Sequence, residues 1–246
     1  MHEKLLTYGL KNSKLTHIDD VERGLKCNCS CPNCQIALIA RKGKIKVHHF
    51  AHYRGADCGK AYETALHLLA KEIIKERKTI ILPECYPSKN YYVDSRFKHP
   101  QRVINFSTIE LEKQIAQDEI TIKPDALCIN TDYELLVEFA VTHFVDYEKL
   151  NKIRKLKKNC IEVDISNIEL NKDKLIEVIE NLPHHTKWIH NKHIEQDYRS
   201  FVEQHFIDTK NIIENIFKEN MNFCIPNYIN RKYSKKDFMI MKAPLF

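Results

Sequence analysis

All five glycines of this chain, Gly9, Gly24, Gly43, Gly55 and Gly59, lie in its first 59 residues, and residues 60–246 contain none. Loops that cradle a nucleotide's phosphates by close backbone approach need glycine at fixed spacing. The Walker loop and the dinucleotide-binding turn are therefore excluded over most of the chain. Phosphate chemistry, if any, must rest on carboxylates, metal ions and basic side chains. A length of 246 residues allows one domain plus a module, and 43% apolar residues can build a real core. The net charge of +6 is mildly basic; it permits a polyanionic partner without requiring one.

The glycine-rich end is also cysteine-rich: residues 27–59 hold five of the nine cysteines. The N-terminus, Met1-His2-Glu3-Lys4, lacks the apolar run of a secretory segment. No stretch approaches the roughly 18 apolar residues a membrane span needs. A reducing, cytoplasmic setting without membrane contact is the expectation, and there clustered cysteines indicate metal before disulfide. Cys31-Pro32-Asn33-Cys34 is a tight knuckle, followed by a hairpin pattern, Ile36–Ala40, a turn at Arg41–Lys44 and Ile45–Val47, that returns to His48-His49-Phe50-Ala51-His52. Two thiolates met by two imidazoles can close a tetrahedral structural zinc site. The expected ligands are Cys31, Cys34, His49 and His52, with Cys27, Cys29, His48 and Cys58 as spare candidates.

Beyond the module, Ala65, Leu66, Leu69, Ala70, Ile73 and Ile74 recur at helical spacing, predicting a helix over residues 61–78. Residues 84–101 read as loop. Strands are expected near 102–112, 120–130 and 133–142. The last alternates, with Leu135, Val137, Phe139 and Val141 on one face and Leu136, Glu138, Ala140 and Thr142 on the other. A basic helix near 146–158 and a strand at 160–165 follow. From 168 the pattern is mainly helical, ending in a basic, aromatic tail at Arg231–Lys236.

Two acids stand out in this α/β order. Asp125 follows Pro124, which disfavours helix before it and suits a strand start. Glu138 sits among Leu, Val, Phe and Ala, where an unpaired carboxylate is costly to bury. It needs a cation, a hydrogen-bond network or an open sheet face. An Asp opening one strand and a Glu on the next can share one divalent metal. Glu63, His67 and Lys71 share a helix face at i, i+4 and i+8.

In this order the motifs Cys-Pro-Asn-Cys, His-Phe-Ala-His, Glu63-Thr-Ala-Leu-His67-Leu-Leu-Ala-Lys71, Pro124-Asp125 and Glu138 resemble the CoiA-like competence protein family, over roughly residues 15–166. The resemblance implies an α+β protein: a zinc-ribbon-like module at 1–59, a PD-(D/E)xK nuclease domain with a restriction-endonuclease-like αβββαβ core at 60–167, and a mainly helical extension at 168–246. It implies Mg²⁺ or Mn²⁺ organised by Glu63, Asp125 and Glu138, DNA as substrate, and recombination or competence proteins as partners. One position departs. The resembled signature has Glu-x-Lys, or sometimes Glu-x-Gln, on the third strand, and here Ala140 stands at the last position. Replacement groups are His143, Lys149, Lys152, His67 and Lys71, with Lys149 preferred as the relocated cation and His143 as a site residue. The competing reading is a DNA-binding accessory protein that no longer cuts.

Lys152, Arg154 and Lys155, with their basic neighbours, would neutralise backbone phosphates without reading sequence. Arg41, Lys42, Lys44 and Lys46 on the zinc hairpin offer a second contact. His184, His185, Trp188, His190 and His193 read first as a surface segment. The oligomeric state is not set by these patterns.

Overall fold

The computed structural model describes residues 4–55, 58–86 and 98–219. The expected tail motif at 231–236 lies outside the described residues. Residues 1–197 form one compact unit, and residues 198–246 a second.

The N-terminal module is built from two small hairpins. Strands β1 (Tyr8–Lys11) and β2 (Lys14–His17) pair through a two-residue turn. Asn12 and Ser13 both have positive φ there, the backbone hand that matches the twist of the flanking strands. Strands β3 (Leu38–Arg41) and β4 (His49–His52) form the second hairpin, with Leu38 opposite His52 and Arg41 opposite His49. Bridges from Ser30 to Leu10 and Ala37 join the two.

Helix α1 (Ala61–Arg77) buries the apolar stripe read from the sequence, together with Lys71. It ends at Lys78 in the left-handed conformation. Strand β5 (Thr79–Leu82) pairs with β6 (Arg102–Asn105). Next come β7 (Thr108–Leu111), the small hairpin β8 (Ile115–Gln117) with β9 (Ile120–Ile122), β10 (Ala126–Ile129) and β11 (Glu134–Ala140). Helix α2 (Tyr147–Lys155), strand β12 (Asn159–Asp164), helices α3 (Lys172–Glu180) and α4 (Leu182–His185), strand β13 (Thr186–His190) and helix α5 (Lys192–Glu219) complete the described chain.

The main sheet has the order β13-β12-β11-β10-β7. All its neighbours are antiparallel except β11 and β12, which run parallel with α2 as the crossover. Helix, three strands, helix, strand is thus present as α1, β7, β10, β11, α2 and β12. Two expected strands are split. The 102–112 segment breaks at Phe106-Ser107, and the 120–130 segment breaks at Lys123-Pro124-Asp125, where proline has no N–H to give a ladder. The region expected to be mainly helical also contributes β13. Its Thr-Lys-Trp-Ile-His sequence is five residues long and carries no alternation to separate it from helix.

The core lies between α1, α3 and one sheet face, with Leu135, Val137, Phe139, Ile161 and Val163 at its centre. Leu6, Tyr8, Ile18, Leu38 and Phe50 of the module belong to that same cluster. A second cluster packs Leu136 and Cys160 of the other face against Ile153 and Leu156. The alternation along β11 thus sends Val137 toward α1 and Glu138 toward α2.

Candidate functional site

The module's knuckle is folded as the sequence implies. The Cys31 N–H donates to Ile36 O, the Gln35 N–H to Cys31 O, and the Asn33 N–H points at Cys31 Sγ at 3.4 Å. The ligand atoms of Cys31, Cys34, His52 and Cys58 all lie within 4.8 Å of one another. Cys31 Sγ and Cys58 Sγ are 3.9 Å apart, close to the roughly 3.8 Å that two sulfurs keep on a tetrahedral ion with about 2.3 Å bonds. His52 Nε2 is buried with no hydrogen-bond partner among the described residues. A buried imidazole nitrogen without a partner is costly, and a metal removes that cost. Burial pushes the Cys31 thiol up to about 11, so a thiolate there needs a compensating cation. The Asn33 amide, 3.2 Å from Cys58 Sγ, holds the Cys58 thiol below its usual range. This Cys3His cluster can hold a zinc ion.

One expected ligand is corrected. His49 is replaced by Cys58. Residues 49 and 52 are three apart on one strand, so their side chains leave opposite faces. His49 instead donates through Nδ1 to Val47 O at 2.9 Å. The other spare candidates, Cys27, Cys29 and His48, are engaged away from the cluster. His48 pairs with Asp19 at 2.6 Å, Cys27 donates to Leu38 O and Cys29 to Cys27 O.

The acidic residues lie just before β10 and on β11, with α1 reaching Asp125 and α2 reaching Glu138. One register step beyond Ala126 opposite Val137 sets Asp125 across from Glu138. Asp125 Oδ2 accepts the Phe139 N–H at 2.9 Å, and its Oδ1 lies 2.9 Å from Lys71 Nζ. His67 Nδ1 is 3.8 Å from the same carboxylate. Lys71 also binds Glu112 at 2.8 Å, which accounts for its burial. Glu112, held by Lys123 and Lys71, has its carboxyl lowered to about 2.

Glu138 is 6% exposed. Its Oε2 meets Lys149 Nζ, from α2, at 2.7 Å. Its Oε1 is buried without a hydrogen-bond partner among the described residues. Burial pushes this carboxyl up to about 7, against the pull of Lys149 and with added repulsion from Asp125 and Glu162. Asp146 caps α2 by accepting the Lys149 N–H at 2.7 Å, so the helix starts where its lysine can reach the sheet. Ala140 is 1% exposed, and the cation beside Glu138 comes from the helix instead. Glu63 Oε1 accepts the Thr142 hydroxyl at 2.6 Å, joining the start of α1 to the end of β11.

His143 is exposed and makes no hydrogen bond or ion pair among the described residues. Lys152 pairs with Glu148 at 2.6 Å. Arg154 and Lys155 are exposed on α2, without an ion pair among the described residues. In the histidine-rich segment, His190 is buried and bound through Nδ1 to Lys158 O, while His184 and His185 line a pocket of about 260 Å³ with Phe144, Glu162, Asp164, Thr186 and Lys187.

Sequence reasoning missed Glu162. It is 2% exposed, sits beside Glu138 in the parallel register, pairs with Lys187 at 2.5 Å and accepts the Val145 N–H. It thereby pins the segment between β11 and α2. Only the pairing of β11 with β12 identifies it, because along the sequence it reads as one alternating strand position. Lys71, expected on one helix face with Glu63 and His67 and as a possible replacement group, holds Asp125.

Residues 10–61 match the family model described as Competence protein CoiA, N-terminal domain. The match spans all four metal-cluster residues and ends at the first residue of α1, and the resemblance to CoiA-like competence proteins is borne out over that segment. No curated protein and no solved structure matches the chain. No helix among the described residues is long and apolar enough to cross a membrane.

Proposed function

We propose that this chain is a divalent-metal-dependent nuclease that hydrolyses DNA phosphodiester bonds, serving competence or recombination. The observation that carries the reading is Glu138 Oε1, a buried carboxylate oxygen without a partner among the described residues, opposite Asp125 and beside the Lys149 ammonium. A restriction-endonuclease-like core is supported by the order α1, β7, β10, β11, α2, β12 and by its antiparallel, antiparallel, parallel pairing.

Asp125 and Glu138 are the residues that would hold Mg²⁺ or Mn²⁺. Glu63 does not converge with them as the cysteines converge. Two carboxylates suffice for Mg²⁺, which keeps several of its waters; Glu63, which fixes Thr142, would contribute only through one of those waters. Such an ion supplies Lewis-acid polarisation of the phosphate and a nucleophilic water of lowered pKa. Phe139 N–H fixes the orientation of Asp125. Lys71 and Lys149 balance the two carboxylates before substrate arrives, and Lys149 then faces the negative charge that develops on the phosphate. The exposed Arg154 and Lys155 of the same helix hold the DNA backbone.

A second reading, a binding protein that no longer cuts, is favoured by Ala140 and by the engagement of both Asp125 oxygens. The two separate in an assay of linear and circular, single- and double-stranded DNA with Mg²⁺ or Mn²⁺, wild type beside Asp125→Ala. Metal-dependent cutting that the variant lacks establishes the nuclease. Binding without cutting under either metal moves the conclusion to the accessory protein.

A further inference from the structure

The β3–β4 hairpin ends in a tip whose composition the zinc site does not use. Its ladder runs from Leu38 opposite His52, at the metal end, to Arg41 opposite His49. Residues 42–48 close the far end. There Ile45 is 99% exposed and Val47 67% exposed. Lys44 and Lys46 flank Ile45, Arg41 precedes the turn, and no acidic residue occurs from Arg41 to His52.

The base of this tip is anchored. Lys42 Nζ donates to the carbonyls of Asp19 at 3.1 Å and Val21 at 2.8 Å, and His48 binds Asp19 Oδ1 at 2.6 Å. The apolar pair is therefore presented by a fixed support. A single exposed apolar side chain needs no explanation. Two of them at one anchored tip, set between ammonium groups, need one, since the free chain forgoes the stabilisation that burying an isoleucine brings. Lysines suit phosphates, and isoleucine is among the side chains that wedge between base steps from the minor groove.

We infer that the tip of the β3–β4 hairpin is a duplex-DNA contact, in which Ile45 and Val47 wedge at a base step while Lys44 and Lys46 neutralise the flanking phosphates. The choice of DNA as the polyanion rests on the nuclease reading; the wedge rests on the tip itself. The contact acts on binding and DNA shape, at the end of the hairpin opposite the metal cluster.

The test uses the full-length, zinc-loaded chain in buffer without Mg²⁺ or Mn²⁺, so that no cutting is needed. Binding to a short duplex is followed by anisotropy across a salt series, and unstacking by 2-aminopurine fluorescence within the duplex. Ile45→Ala/Val47→Ala should bind at least tenfold more weakly, lose the 2-aminopurine rise and keep the salt slope. Lys44→Ala/Lys46→Ala should lower the slope of log K against log salt by about 2. Both variants should retain zinc content and melting temperature, since the replaced side chains are exposed. Duplex affinity within twofold of wild type for Ile45→Ala/Val47→Ala, or no duplex binding by the wild type, overturns the inference. So does tip-dependent binding to phosphatidylserine vesicles but not to duplex, which would make the tip a membrane contact. Tip-dependent duplex binding by a chain that never cuts would sink the nuclease reading and leave the wedge standing.

Discussion

Glu138 concentrates the conflict on which the site depends. Its neighbours are apolar, Cys160 and Glu162 lie beside it on β12, and one lysine faces it. An unfolded glutamate titrates near 4.5 and the folded one near 7. Between those values the folded chain holds a proton that the unfolded chain has lost, so without divalent metal stability falls as pH rises through the window. The contribution is fully present below the lower value and gone above the upper one. Glu138→Gln should flatten this part of the profile and stabilise the metal-free chain at pH 8, by up to about 3 kcal/mol. Urea unfolding at a series of pH values measures it, and a wild-type profile as flat as the variant's rejects a buried, proton-holding Glu138. On the nuclease proposal, in which the Lys149 ammonium would act on developing charge, Lys149→Ala should cut cleavage on the order of 100-fold with DNA affinity nearly unchanged. A loss confined to affinity would make Lys149 a binding residue only. Glu138 could be picked out from the sequence because a lone acid in an apolar strand needs a partner, and Lys149 was one of several candidates to replace the lysine that the family resemblance led one to expect at Ala140. Glu162 could not, because lateral register is not written along one strand.

At the scale of elements, the β3–β4 hairpin shows how far periodicity decides a candidate ligand. Cys31 and Cys34 belong to one turn, so their spacing alone brings them together. The histidines belong to a strand, and strand alternation allows only one of residues 49 and 52 to face the cluster. Cys58 arrives from the segment just ahead of α1, whose Ala61 N–H donates to Cys58 O. An ion held by these four residues would clamp the knuckle, the hairpin and the start of the helix that carries Glu63. Cys58→Ser should reduce bound zinc in purified protein and lower the melting temperature, whereas His49→Ala should leave both near wild type. Elemental analysis and thermal denaturation check this, and zinc loss in His49→Ala with retention in Cys58→Ser would reverse the ligand assignment.

At the scale of the molecule, the module and the sheet share one core within residues 1–197. Module residues Leu6, Tyr8 and Phe50 share a core with α1 and β11. Thr7 Oγ1 donates to Leu170 O and Tyr62 to Ile168 O, tying both to the segment after β12. Deleting residues 1–59 strips apolar cover from α1, so the remaining chain should lose cooperative thermal unfolding and bind a hydrophobic dye. A shortened chain that melts as sharply as the full one would mean that the sheet domain stands alone.

The sequence by itself determined the local chemistry: a knuckle able to hold a metal, an amphipathic first helix, an alternating strand with one acid, and the exclusion of glycine-built phosphate loops. These follow from spacing within one element, where backbone geometry fixes which side chains share a face. The tertiary structure decided everything that depends on two elements meeting. Cys58 completes the metal cluster in place of His49, Lys71 and Lys149 divide the two central carboxylates between them, and Glu162 stands beside Glu138. Strand β13 also becomes visible only as the antiparallel edge beside β12. The physical reason is common to all of them: lateral register and packing direction are set by the whole core, and no single segment's periodicity contains them.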